Sequence, residues 1–141
     1  MRTRARGAGE PVHAVLAVFS LGLLATSVLF DVVGLASHRP VWGEVASQDL
    51  VGGLAGGAAA ALLSLVAAAR TPLVSRSRPA AVLRASAQVS ALVLFGGALA
   101  VRHMDRGPFP STTALVLSAA GLAAGAVAAW LTIELASRLQ D

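Results

Sequence analysis

The sequence predicts an all-α polytopic membrane protein, a bundle of four transmembrane helices. Three observations predict it: the chain has four long apolar runs, short basic or proline-broken segments separate them, and polar side chains are too few to cover a water-soluble globule. Of 141 residues, 56% are hydrophobic and 13% charged, and the mean hydropathy is +0.75. A chain of that composition needs lipid as its solvent.

Residues 1–10 form a basic tail carrying Arg2, Arg4 and Arg6. The following apolar run, Val12 to Leu35, exceeds the roughly 7–15 residues of a signal-peptide core, so it reads as an uncleaved span. The first helix is expected over about residues 11–37, ended by His38-Arg39-Pro40, since proline and charge stop a helix. Trp42 and Glu44 then fall in a loop, and Ser47-Gln48-Asp49 offers an N-cap for a second helix over residues 50–69. A basic turn from Arg70 to Pro79 precedes a third helix at residues 80–101. The polar stretch Arg102 to Pro110 precedes a fourth at residues 112–137, and residues 138–141 close the chain. Each run has about 20 residues or more, enough to cross roughly 30 Å of hydrocarbon at 1.5 Å per residue. The transmembrane domain is thus a single unit, residues 11–137.

Arginine supplies all eleven basic residues. Arg2, Arg4, Arg6, Arg70, Arg76, Arg78, Arg84 and Arg138 gather on one side of such a bundle, against Arg39, Arg102 and Arg106 on the other. The positive-inside bias therefore places both termini in the cytoplasm. The same distribution explains a pI near 11.6 without nucleic acid: the arginines flank apolar runs, and at 4% aromatic residues there is no stacking platform. The absence of cysteine, lysine and tyrosine excludes disulfides, thiolate catalysis, cysteine-ligated metals and Schiff-base chemistry. No catalytic set stands out, and the chain reads as a non-enzyme with no cofactor.

Helices in lipid associate through close backbone approach, which small residues permit. Gly52-x-x-x-Gly56 and Gly53-x-x-x-Gly57 run down the second helix and Gly121-x-x-x-Gly125 down the fourth, where Trp130, one turn deeper than Glu134, is read as a further packing residue. These two helices are expected to make the closest contacts, with each other or with a partner subunit.

An ionisable group in hydrocarbon costs a few kcal/mol and turns inward to a partner. His13, Arg84 and Glu134 share one leaflet, where Arg84 pairs with Glu134 and Gln88 lies one turn deeper than Arg84. Asp31 follows His13 by five full turns, about 27 Å, so it belongs to the other leaflet with Arg102 or Arg39 as its partner. These residues are read first as pairs fixing helix register. A proton relay through Glu134, His13 and Asp31 is the alternative, although no titratable residue bridges the middle. Haem or quinone binding is a further alternative. It is limited by histidines at unequal depth, with His38 and His103 beyond the helix ends.

Pro11-Val12-His13, Phe30-Asp31, the Gly/Ala-rich second helix, Arg102 and the stretch Trp130-Leu131-Thr132-Ile133-Glu134-Leu135 carry a family resemblance over most of the chain. The sequence resembles a bacterial family of four-helix membrane proteins, domain of unknown function 2231. Members tend to show Gly-Trp-Leu-Gly-Gly-Glu-Leu in the last stretch; this chain keeps tryptophan, leucine and glutamate and has Ala129, Thr132 and Ile133 in place of the glycines. Ser86 or its neighbours and Ala69 stand where members tend to carry a histidine and an aspartate. The resemblance implies an energy-transducing membrane context. Together with the residues it leads to the expectation of a structural or accessory subunit. Its partners would be the lipid bilayer and either itself or other membrane subunits, in a respiratory or transport assembly.

Overall fold

In the computed structural model the chain forms four helices, α1 (Gly9–Ser37), α2 (Pro40–Arg70), α3 (Arg78–Met104) and α4 (Thr112–Arg138). The structure describes residues 9–70, 72, 78–105 and 107–138. The tail arginines Arg2, Arg4 and Arg6, the turn residue Arg76, Arg106 and residues 139–141 lie outside them. All four helices are long and apolar enough to cross a membrane, over Val15–Ser37, Pro40–Arg70, Val82–Met104 and Thr112–Trp130.

The prolines set the boundaries. Pro11, Pro40 and Pro79 sit in the first turns of α1, α2 and α3, where the missing N–H is no loss, and Pro72, Pro108 and Pro110 lie between helices. The start of α2 departs most from the sequence expectation. The segment holding Trp42 and Glu44 is helical, and α2 begins at Pro40 rather than at residue 50. Pro40 occupies the first helical position, so it starts α2 as well as stopping α1.

His38 makes this tight hairpin close, at φ 54°. The Arg39 amide reaches back to the Gly34 carbonyl at 3.3 Å, as in a Schellman turn, and the Trp42 amide donates to the Arg39 carbonyl at 3.3 Å. Phe30 of α1 stacks on Trp42 of α2, ring centroids 5.5 Å apart, locking the two helices just inside the turn. Ser47 is therefore a mid-helix residue, not an N-cap, and its hydroxyl donates to the Gly43 carbonyl at 2.9 Å. At α4 a true serine cap operates: Ser111 Oγ accepts from the Ala114 amide at 3.4 Å.

The bundle is two hairpins side by side. α1 packs chiefly on α2 and α3 on α4, α2 and α3 join the hairpins, and α1 and α4 meet over only a short seam. The glycines of α2 and α4 serve these pairings. A Cβ on Gly53 would lie 2.7 Å from Leu24 Cγ of α1, and one on Gly121 would lie 2.8 Å from the Phe95 ring of α3. Gly52 and Gly56 face Leu23 and Ser20 of α1, and Gly125 faces Leu21. The expectation that α2 and α4 lie closest to each other is thus corrected, because their smooth faces are filled by neighbouring Leu and Phe side chains. Ser20 adds an interhelical bond, its hydroxyl donating to the Gly53 carbonyl at 2.5 Å.

The core is thin. Leu24, Leu50 and Phe95 form its centre, with Val28, Leu54, Leu99 and Leu122 against them, and most other buried apolar positions are alanine. Large apolar side chains point outward instead, among them Val18 at 72% and Trp130 at 63% exposure. That surface suits acyl chains rather than water. Trp130, read from the sequence as a packing residue, is on this outer face.

Candidate functional site

Two polar clusters lie at opposite ends of the bundle, separated by the layer of Leu24, Leu50 and Phe95. At the end holding the α1–α2 turn, Asp31 of α1 forms an ion pair with Arg102 of α3. Asp31 is fully buried, and the Arg102 side chain is 6% exposed. A second guanidinium nitrogen of Arg102 donates to Ser47 Oγ of α2 at 3.5 Å, so the arginine ties three helices. Asp31 Oδ1 and Arg102 Nε are buried with no hydrogen-bond partner among the described residues. Next to the pair is a cavity of about 290 Å³, lined by Glu44, Ser47, Arg102, Asp105 and the Pro108–Pro110 loop.

At the other end, Nε2 of His13 in α1 lies 2.6 Å from Ser64 Oγ in α2, and Ser64 donates to Gln88 Oε1 in α3 at 3.1 Å. Ser64 spends its single proton on Gln88, so it accepts at His13, and the Nε2 of His13 carries a hydrogen. Arg84 and Gln88, one turn apart on α3, line a cleft of about 340 Å³ together with His13. The Arg84 Nε is buried without a hydrogen-bond partner among the described residues. Glu134, at the same end of α4, is half-buried and makes a polar interaction of its own.

The sequence-predicted residues thus fall into the two expected sets, His13, Arg84, Gln88 and Glu134 against Asp31 and Arg102. Ser64, which bridges His13 to Gln88, was missed, although it is the only polar side chain between Asp49 and Arg70. Ser47 was assigned to a cap and proves to be a partner of Arg102. His38 and His103 are exposed. No group of three or more His, Asp or Glu able to hold a metal occurs among the described residues.

Helices of membrane-spanning length, an apolar exterior and internally paired polar groups define an integral-membrane four-helix bundle. The sequence profile of the DUF2231 family, described as predicted membrane proteins, matches residues 9–140, and the chain belongs to that family. No curated protein and no solved structure matches it.

Proposed function

We propose that this chain is a non-enzymatic accessory subunit of a larger assembly in a bacterial plasma membrane, with both termini in the cytoplasm. The observation that carries this reading is how the polar side chains are used. Asp31, Arg102 and Ser47 link α1, α3 and α2, His13, Ser64 and Gln88 link the same three helices at the other end, and Ser20 links α1 to α2. Groups spent in this way hold helices in register and make a rigid body that presents an apolar surface to its surroundings. The eight-to-three distribution of arginines supports the orientation.

Proton transfer across the bundle has less support. Leu24, Leu50 and Phe95 lie between His13 and Asp31, and no titratable side chain bridges the helix segments between the two ends. Electron transfer through a clamped haem also has less, since His38 and His103 point outward.

The test compares native-gel profiles of membrane complexes in cells with and without the gene, together with the mass of the protein extracted in mild detergent. The accessory reading expects the chain in a species larger than a monomer, and a second complex that shrinks or disappears without it. A monodisperse monomer with every complex unchanged refutes the reading.

A further inference from the structure

The cleft at the His13 end is graded along its length. It runs from His13 to Leu24 on α1, eleven residues, or about 16 Å at 1.5 Å per residue. His13, Arg84 and Gln88 sit at one end, and Leu21, Leu24 and Leu92 wall the rest, where the hydroxyl of Ser20 is spent on the Gly53 carbonyl. It lies where all four helices converge, bounded on one side by Ala17 and Val18 of α1 and on the other by Gly125, Ala128 and Ala129 of α4. Those two helices meet over only a short seam. Leu21 closes the seam against Gly125, where an added Cβ would be 3.1 Å away, and Val18, 72% exposed, marks its outer edge. The mouth therefore faces the acyl chains, and the polar end lies toward the helix ends where headgroups begin.

We infer that this cleft binds one amphiphile with an anionic head, the head held by Arg84 and Gln88 beside His13 and a single alkyl chain laid along Leu21, Leu24 and Leu92. The polar end is chemically one-sided. Arg84 brings a fixed positive charge and a buried Nε with no hydrogen-bond partner among the described residues, and Gln88, whose Oε1 accepts from Ser64, keeps its amide N–H groups to donate. A carboxylate or phosphate oxygen is the acceptor such donors take best. Glu134 stands at the same end but makes its own polar interaction. The volume of about 340 Å³ is at the small end of ligand clefts, which suits one chain rather than two. The head is a free carboxylate or a phosphodiester, as in a fatty acid or a lysophospholipid; both present the same charge and acceptors.

Native mass spectrometry of the delipidated full chain in neutral detergent tests this with three probes: palmitate, palmitoyl lysophosphatidylglycerol and uncharged monopalmitoyl glycerol. At least one anionic probe is expected to bind about tenfold or more tightly than monopalmitoyl glycerol, and whichever anionic probe wins identifies the head. Arg84→Gln removes that discrimination, Arg84→Lys retains most of it, and Ala17→Phe, which fills the cleft from α1, weakens all three probes. Equal binding of charged and uncharged probes overturns the inference. So does an unchanged anionic preference in Arg84→Gln, with Arg84→Lys as the control that the fold persists.

Discussion

Removing one half of the Asp31–Arg102 pair isolates the physics that holds the two hairpins together. Asp31 is fully buried and Arg102 nearly so, and Arg102 also donates to Ser47 at 3.5 Å. Arg102→Leu leaves a buried carboxylate without its cation. Breaking a buried pair from one side costs about 3–5 kcal/mol, and the loss of the Ser47 contact adds about 0.6 kcal/mol, typical of an interhelical bond in a membrane. The expected destabilisation is therefore about 4–6 kcal/mol. Removing both charges in Asp31→Leu/Arg102→Leu is expected to recover most of that loss, because Asp31 Oδ1 and Arg102 Nε are already unsatisfied and desolvated in the intact pair. Reversible unfolding by sodium dodecyl sulfate in mixed micelles, followed by tryptophan fluorescence, measures the parent, Arg102→Leu, Asp31→Leu and the double variant. A single variant costing under 1 kcal/mol, or a double variant as unstable as the sum of its singles, refutes this view of the pair.

Four further outcomes follow from the packing and the backbone. Gly53→Ala and Gly121→Ala are each expected to cost about 1–3 kcal/mol in the same assay by overpacking, since their new methyl groups meet Leu24 and Phe95 within 3 Å. Gly22→Ala and Gly96→Ala, with nothing within 4 Å, are expected to be neutral or to gain up to about 1 kcal/mol from helix propensity. Ser64→Ala breaks the bridge from His13 to Gln88 and is expected to cost about 1 kcal/mol. It should also shift the imidazole resonances of His13 in ¹⁵N NMR while leaving those of His38 in place. His38→Gly relieves the left-handed backbone at φ 54° and is expected to stabilise by about 1 kcal/mol; a loss of stability there would contradict the turn described for the α1–α2 hairpin.

The spans were legible because an apolar run of membrane length has few other readings, and α1 and α4 end within two residues of their expected bounds. The start of α2 was not, because Pro40 is compatible with stopping one helix and with starting the next. What decides between them is the backbone of His38 and the stacking of Phe30 on Trp42, neither of which follows from local composition. The opposite depths of His13 and Asp31 were legible from the rise per residue. The partner helix of each glycine ridge was not, because Gly53 and Gly121 advertise a smooth face without saying whose side chain fills it; Leu24 and Phe95 do. Ser64 carries no signal of its own and Ser47 reads as a cap because a hydroxyl satisfies itself within a helix as readily as across one, and only the position of Gln88 or Arg102 distinguishes the two.

The claim beneath all of this is that four helices cross a bilayer and keep the His13 cluster and the Asp31 cluster at opposite faces. The chain has no cysteine, so single substitutions His38→Cys, Met104→Cys and Arg70→Cys can be probed in intact cells with an impermeant maleimide. Positions 38 and 104 should label from outside and position 70 only after the membrane is opened. Labelling of positions 38 and 70 from the same side would contradict the account.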